Sequence, residues 1–136
     1  MAKTVLIVED TELCRDTLEV ALMKLPNTRV RSVTTAEEAL QYLAGDEISA
    51  LITDLHLPLM DGFELIEMVR SMPHRSSMPI LVISGDSDPA MPQRVVHLGA
   101  NAFFPKPYSP AAVRHKLAEL MERAGRNGGS QPSPAA

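Results

Sequence analysis

The sequence predicts an α/β fold in which helices cover both faces of a doubly wound, five-stranded parallel sheet. Short, continuous apolar runs alternate along the chain with segments in which apolar residues recur every three or four positions. The runs are typical of strands that are buried on both faces, as in a parallel sheet, and the recurring segments are typical of amphipathic helices. Strands and helices that alternate in this way are joined by right-handed crossovers within one sheet.

Each of the first three predicted strands precedes a helix. These strands are the runs at residues 4–8, 29–33 and 50–53. Pro26 stops the first helix, and Thr35 and Glu38 have capping-box spacing at the start of the second helix, which ends at Gly45. Asp61 is placed to cap the third helix. The apolar face of the first helix consists of Cys14, Leu18, Ala21 and Leu25.

The last two predicted strands precede a short helix and a longer one. These strands are the runs at residues 80–83 and 102–104. The fourth helix is predicted to begin beside two prolines and to end at Gly99, and Ser109 followed by Pro110 is a start signal for the fifth. Residues 1–124 are therefore predicted to form one domain. Residues 125–136, which are rich in Gly, Ser and Pro, are predicted to be a flexible tail or a linker stub.

Composition and charge exclude several classes of function. The net charge of −4 argues against binding to a phosphate backbone, so no direct nucleic-acid binding is expected. Aromatic residues make up 4% of the chain and none is Trp, so a base-stacking surface is not expected either. No apolar run is long enough to cross a bilayer, and the amino terminus is unlike a signal peptide. Together with a single cysteine, Cys14, these features favour a reducing, cytoplasmic setting.

The residues at the ends of the predicted strands carry most of the chemistry. Glu9 and Asp10 follow the first strand, Asp54 the third, Ser84 the fourth and Lys106 the fifth. Ligands of open parallel sheets bind beyond the carboxyl ends of the strands, so these side chains are expected to share one pocket. Three carboxylates in one pocket repel one another unless a cation is bound, and ligation by oxygen alone suits Mg²⁺. A carboxylate can also attack phosphorus to form an acyl phosphate.

Several short motifs occur in a fixed order along the chain. They are Glu9-Asp10, Asp54-Leu-His-Leu-Pro58, Met60-Asp61-Gly62, Ser84-Gly85, Gly99-Ala100 and Lys106-Pro107. The gaps are 44 residues from Asp10 to Asp54, a further 30 to Ser84 and a further 22 to Lys106. In order and spacing, this set resembles the receiver domain of bacterial two-component response regulators. The resemblance spans about residues 3–123 and implies a flavodoxin-like sheet with the strand order 2-1-3-4-5.

The resemblance implies a role for each residue of the acidic pocket. Asp54 matches the aspartate that is phosphorylated, and it is also a metal ligand. Asp10 matches the direct Mg²⁺ ligand, and Glu9 matches its acidic neighbour, which acts partly through water. His56 matches the position whose backbone carbonyl completes the metal site, so its imidazole need not bind the metal.

Three further residues match the parts of the family that respond to the phosphoryl group. Ser84 matches the switch hydroxyl, and Lys106 matches the lysine that pairs with the phosphoryl group and precedes a cis peptide bond to Pro107. Phe103 matches the aromatic switch residue, and its ring is expected to be at least partly inward because it has no hydroxyl to hold it outward. Pro105 departs from the family pattern, because it cannot donate a hydrogen bond within the sheet.

The function that the resemblance implies is a phosphorylation-activated signalling switch, not a turnover enzyme. The phosphodonor would be a sensor histidine kinase or a histidine phosphotransfer protein. The target would be a downstream protein or a covalently linked output domain, and a second copy of the chain is a further candidate partner. Two alternatives stay open. A phosphohydrolase of the haloacid dehalogenase type also uses an aspartate nucleophile, but His56 replaces its second acid. A pseudo-receiver binds partners without phosphorylation, and the intact acidic set argues against it.

Overall fold

The structure, a computed structural model, describes residues 2–45 and 47–130. Within these residues five strands alternate with five α-helices, as the apolar pattern predicts. The strands are β1 (Lys3–Val8), β2 (Thr28–Val33), β3 (Ala50–Asp54), β4 (Ile80–Ser84) and β5 (Ala102–Pro105). The helices are α1 (Glu12–Leu22), α2 (Ala36–Gly45), α3 (Gly62–Ser71), α4 (Met91–Leu98) and α5 (Pro110–Ser130), and a 3₁₀ turn lies at Pro73–Arg75.

The five strands form one parallel sheet in the order β2-β1-β3-β4-β5. This order confirms the predicted doubly wound, flavodoxin-like arrangement. Val8 at the end of β1 lies opposite Val33 of β2 on one side and Thr53 of β3 on the other. The chain winds outward from β1 to β2 and then crosses back to β3, so the direction of winding reverses between β1 and β3. Such a reversal opens a crevice at the carboxyl ends of the strands, where ligands bind in these sheets.

Two apolar layers, one on each face of the sheet, stabilise the fold. Successive side chains of a strand point to opposite faces, so Leu6 and Ile7 of β1 enter different layers. β3 and β4 are buried along their whole length, which explains their continuous apolar runs. Residues of α1 and α5 cover one face, and they include Leu18, Leu22, Val113, Leu117 and Met121. Residues of α2, α3 and α4 cover the other, and they include Ala39, Leu43, Leu65, Ile66, Val69 and Val95.

The capping signals in the sequence are confirmed at three helix starts. The backbone N–H of Glu38 donates to Thr35 Oγ1 at 3.2 Å before α2. Asp61 caps α3 in a capping box with Glu64. Ser109 Oγ accepts a hydrogen bond at 3.1 Å from a backbone N–H in the first turn of α5. Each helix therefore begins at the residue that its sequence signal indicates.

One predicted helix end differs from the structure, and one helix continues into the segment predicted as the tail. α1 ends at Leu22 and not at Leu25, and the Leu25 N–H donates to Leu22 O at 3.0 Å in a tighter turn. The residue before a proline is disfavoured in the helical conformation, and Pro26 follows Leu25. Leu25 nevertheless packs on the core. α5 continues to Ser130, beyond the predicted domain boundary. Residues 131–136 of the predicted tail lie outside the described residues, and its flexibility stays a prediction.

The segment from α4 to β5 accommodates its unusual residues without a lost hydrogen bond. Gly99 ends α4, as predicted, with a φ of 117°, in the left-handed region that favours glycine. β5 is an edge strand of the sheet. The Lys106 N–H donates to Ser84 O at 2.8 Å, so the neighbouring nitrogen of Pro105 faces the open edge. An edge position of this kind is where a sheet tolerates proline.

Candidate functional site

The carboxyl ends of the strands bring three acidic side chains together. Carboxylate oxygens of Glu9, Asp10 and Asp54 all lie within 4.8 Å of one another, and these residues could hold a metal ion. Glu9 is fully buried and Asp54 is 6% exposed, whereas Asp10 is exposed. The cluster therefore opens to solvent on the side of Asp10.

Three hydrogen bonds hold the carboxylate of Asp54 in one orientation. Its Oδ1 accepts from the backbone N–H groups of Leu55 at 2.6 Å and of His56 at 3.2 Å. Its Oδ2 accepts from the ammonium group of Lys106 at 2.8 Å. These bonds fix the direction in which the carboxylate oxygens face, which is the preorganisation that a nucleophile needs.

Lys106 joins two of the acidic side chains. Its ammonium group also donates to Glu9 Oε1 at 3.0 Å, and Glu9 Oε2 accepts from the Thr11 N–H at 2.9 Å. Burial raises the pKa of Glu9 above its ordinary value, although the hydrogen bonds from Thr11 and Lys106 act in the opposite direction. Burial alone would lower the pKa of Lys106, but its hydrogen bonds to Asp54 and Glu9 outweigh that effect and raise it. Lys106 is therefore a fixed positive charge at neutral pH.

Ser84 is the last residue of β4 and lies next to the strand that carries Asp54. It directly follows Ile83, the residue opposite Asp54 in the sheet, and its side chain is fully buried. Its Oγ accepts a hydrogen bond from the Asp86 N–H at 3.1 Å. Because a hydroxyl can accept and donate at once, the proton of Ser84 stays available for a second partner.

Phe103 and the peptide bond after Lys106 agree with the expectations from the sequence. Phe103 lies opposite Val82 in the sheet, is half-buried and packs against the apolar layer under α2, α3 and α4. Its ring is thus partly inward. The Lys106–Pro107 peptide bond is cis.

Gly62 supports the site in a way that sequence reasoning missed. A Cβ atom on Gly62 would lie 2.3 Å from the carbonyl oxygen of Asp54 and 2.7 Å from Leu55 Cα. The Gly62 N–H donates to Leu55 O at 2.8 Å. The first turn of α3 is therefore docked on the backbone that carries Asp54. In the sequence, Asp61-Gly62 indicates only a turn and a helix start, so the close approach has no local signal.

Two other contacts beside the pocket also have no signal in the sequence. The guanidinium group of Arg15 in α1 donates to the carbonyl oxygen of Glu9 at 3.0 Å. His56 Nε2 lies 3.1 Å from Asp86 Oδ2, which joins the loop after β3 to the loop after β4. Both contacts depend on where the folded elements place long side chains, and the spacing of apolar residues in the sequence does not predict those positions.

This fold and pocket define a doubly wound α/β domain with an acidic, lysine-containing site where the winding reverses. The sequence model of the response regulator receiver domain family matches residues 5–118. The chain belongs to this family, the receiver domains of two-component response regulators, and this membership is consistent with phosphorylation-dependent signalling.

Two curated relatives differ in length. The transcriptional regulatory protein GltR of Pseudomonas aeruginosa is 34% identical over 122 residues, which are 90% of this chain and 50% of that protein. The chemotaxis protein CheY homologue of Campylobacter jejuni is 27% identical over 127 residues, which are 93% of this chain and 98% of that protein. The chain thus spans about half the length of the first relative and almost all of the second.

Solved structures confirm the fold. The chemotaxis response regulator CheY4 of Vibrio cholerae aligns with a TM-score of 0.79 and 25% identity, over 88% of this chain and 99% of that one. A CheY-like response regulator receiver domain protein of Methanospirillum hungatei aligns with a TM-score of 0.83 and 25% identity, over 93% of this chain and 98% of that one. Among the described residues, no helix combines the length and the apolar character that a membrane crossing requires.

Proposed function

We propose that this chain is a phosphorylation-activated signalling switch that accepts a phosphoryl group on Asp54. The observation that carries the proposal is the setting of the Asp54 carboxylate, which lies 2.8 Å from the Lys106 ammonium and beside the carboxylates of Glu9 and Asp10. Phosphoryl transfer needs a nucleophile, a fixed positive charge and ligands for a cation, and these residues supply all three.

The phosphodonor in this proposal is the phosphohistidine of a sensor histidine kinase or of a histidine phosphotransfer protein. A carboxylate oxygen of Asp54 attacks phosphorus and forms the P–O bond of an acyl phosphate. The P–N bond to the imidazole of the donor breaks, and its electron pair stays on the nitrogen, which takes up a proton. The product is one phosphorylated aspartate, and water later hydrolyses its acyl phosphate slowly. The chain therefore acts as a switch and not as a turnover enzyme.

Lys106 and Ser84 would receive the negative charge that arrives with the phosphoryl group. Lys106 is also bonded to Glu9, so it can donate to a phosphoryl oxygen while it stays anchored in the pocket. The proton of Ser84 is available for a second phosphoryl oxygen. A turn of Ser84 towards that oxygen would shift the loop before α4, with Phe103 beside it. The surface formed by α4 and β5 would then change, which is the signal that a target reads.

The acidic cluster fits Mg²⁺ by its donor set and by its charge. One ammonium group does not balance three carboxylates, and all the side-chain donors are oxygens. Asp10 and Asp54 would bind the ion directly, the backbone carbonyl of His56 would complete the protein ligands, and Glu9 would act partly through water. When bound, the ion would neutralise charge on the phosphoryl oxygens.

The output of the switch is either a separate downstream protein or a covalently linked domain. The relative from Pseudomonas aeruginosa extends well beyond the matched region, whereas the relative from Campylobacter jejuni does not. We propose a cytoplasmic location for the chain, because its cysteine is a free thiol and a reducing compartment keeps it so.

Intact mass spectrometry after incubation with acetyl phosphate and Mg²⁺ tests the assignment of Asp54. The wild-type protein should gain one phosphoryl group. Asp54→Asn should gain none, because a carboxamide is a much poorer nucleophile and ligand than a carboxylate. Asp88→Asn removes an exposed acid on the loop before α4 and should be labelled like the wild type. Labelling of Asp54→Asn at the wild-type level would overturn the assignment.

A further inference from the structure

The two edges of the parallel sheet differ in how well they could accept a further strand. β5 is four residues long and ends in Pro105, which cannot donate a hydrogen bond, so this edge suits a further strand poorly. β2 is six residues long and contains no proline. Within the described residues, β2 pairs only with β1. The edge of β2 is therefore the better place for an additional strand.

Alternate residues of β2 point their backbone groups away from β1. The Lys3 N–H donates to the carbonyl oxygen of Asn27 at 2.9 Å, and the Glu9 N–H donates to that of Val33 at 3.0 Å. Odd-numbered residues of β2 therefore face β1, because successive backbone groups of a strand point to opposite sides. The N–H and C=O groups of residues 28, 30 and 32 face the open edge, where a further strand can pair with them.

Two arginine residues line this edge on the face of the sheet that α2 covers. Arg31 lies opposite Leu6 of β1, which packs in the apolar layer under α2. Arg29 is two residues earlier in the strand, so its side chain points to the same face. Both residues are exposed, and neither guanidinium group forms a hydrogen bond or an ion pair with the described part of the chain. The guanidinium carbon of Arg31 lies 5.6 Å from the centre of the Tyr42 ring, and this cation–π contact holds it beside the strand.

The charge of this edge decides which strand can pair with it. An open cleft of about 460 Å³ is lined by Arg29, Val30, Arg31, Ser32 and Tyr42, so the strand and both arginines border the same space. A second copy of β2 paired there in the antiparallel direction would bring arginines of both copies onto one face, and like charges that lie opposite each other repel. Charged residues at a sheet edge prevent such self-pairing and select a partner of opposite charge.

We propose that the open edge of β2 binds an extended, acidic segment of a partner protein, which adds a sixth strand to the sheet. The backbone groups of residues 28, 30 and 32 bond the backbone of this segment. Acidic side chains at alternate positions of the segment repeat about every 6.6 Å, which matches the spacing of Arg29 and Arg31 along β2. Hydrogen bonds along the edge supply the affinity, and the two arginines supply the selectivity. The inference does not depend on phosphorylation of Asp54.

Solvent exchange of backbone amides, followed by NMR on the full unphosphorylated chain, tests the added strand. The probe is a short capped peptide of alternating Glu and Thr, and the control peptide has Lys in place of Glu. In the free protein, the N–H groups of Val30 and Ser32 should exchange faster than those of Arg31 and Val33, which face β1. When the Glu peptide occupies nine-tenths of the protein, exchange at Val30 and Ser32 should slow by about ten-fold, because only the unoccupied tenth stays open.

Two substitutions and a matched control test the role of charge. Arg29→Gln and Arg31→Gln each remove one exposed charge and keep a polar side chain. Each should weaken binding of the Glu peptide by about two- to five-fold, the range for an exposed ion pair. Lys24→Gln removes an exposed charge beyond the end of α1 and should leave the affinity unchanged.

Several results would overturn the added strand. Arginine-dependent binding that leaves exchange at Val30 and Ser32 unchanged would show that the edge binds anions and does not pair with a strand. Equal slowing by the Lys peptide would show that the arginines select nothing. Slowing that grows with protein concentration in the absence of peptide would show that a second copy occupies the edge. No change in either exchange rate with a large excess of the Glu peptide would also contradict the proposal.

Discussion

A methyl group added at Gly62 should destabilise the protein, although the same change is usually favourable in a helix. Replacement of Gly by Ala stabilises by about 0.4–1 kcal/mol where the backbone and the surroundings permit it. At Gly62 the new Cβ would lie 2.3 Å from Asp54 O, 2.7 Å from Leu55 Cα and 3.1 Å from Asp54 C. All three are backbone atoms, so none can turn away as a flexible side chain would.

The size of the effect follows from two opposing contributions. Overpacking costs about 1–3 kcal/mol, and contact with the backbone of a buried strand places Gly62→Ala at the upper end of that range. After the usual gain of about 1 kcal/mol is subtracted, the free energy of unfolding should fall by about 2 kcal/mol. For a domain of this length the melting temperature should fall by about 5–10 °C.

Urea unfolding followed by circular dichroism measures this change, with Gly45→Ala as the matched control. A Cβ on Gly45, the last residue of α2, would meet no atom within 4 Å, so Gly45→Ala should be at least as stable as the wild type. Gly62→Ala should also accept a phosphoryl group more slowly, because relief of the overlap displaces Asp54 from Lys106. Equal unfolding free energies for the two variants would refute the reasoning that α3 is docked rigidly on β3.

Two other changes test the acidic pocket, and a third tests contacts at the carboxyl end of α3. Mg²⁺ at ten times its dissociation constant should stabilise the wild-type protein by about 1.4 kcal/mol, and the melting temperature of Asp10→Asn should rise less than that of the wild type. A wild-type melting temperature that does not change at millimolar Mg²⁺ would contradict the proposed metal site. Lys106→Met should cost about 1–3 kcal/mol in urea unfolding because buried Glu9 loses its partner. Lys116→Met breaks only an exposed pair and should cost less than about 1 kcal/mol, so equal losses would argue against the buried pair. Arg70→Met should also cost about 1–3 kcal/mol, because its guanidinium group makes four hydrogen bonds of 2.8–3.1 Å that tie α3 to neighbouring loops; an unchanged unfolding midpoint would contradict this.

The sequence predicts those features that depend on local pattern and on topology. The continuous apolar runs of β3 and β4 are recognisable because both faces of these strands are buried, so polar residues occur only at their carboxyl ends. The site residues are recognisable for a different reason. Parallel strands end at the same edge of a sheet, so Asp10, Asp54 and Lys106 are brought together however far apart they lie in the chain.

The features that escaped prediction depend on tertiary contacts. The docking of Gly62 on the backbone of Asp54 needs the packing of α3 against β3, and an Asp-Gly pair looks the same wherever a turn begins a helix. The bridge between His56 and Asp86 needs two loops to approach each other, and neither residue carries a periodic signal. The apolar spacing of α1 continues to Leu25, but Pro26 disfavours the helical conformation for the residue before it, so the helix ends earlier, at Leu22.

Lys106 explains how the fold tolerates a pocket of acids. Repulsion among three carboxylates suggests that the site weakens the fold unless a cation is bound, but two of them, Glu9 and Asp54, accept hydrogen bonds from this ammonium group within 3.0 Å. The third, Asp10, is exposed, where water screens its charge. The hydrogen bonds from Lys106 therefore offset part of this repulsion within the protein itself. The same ammonium group that offsets the charge of Asp54 is placed to bind a phosphoryl oxygen, so phosphorylation would exchange one anionic partner of Lys106 for another. In the proposed switch, the movement of Ser84 and its loop would then carry the signal.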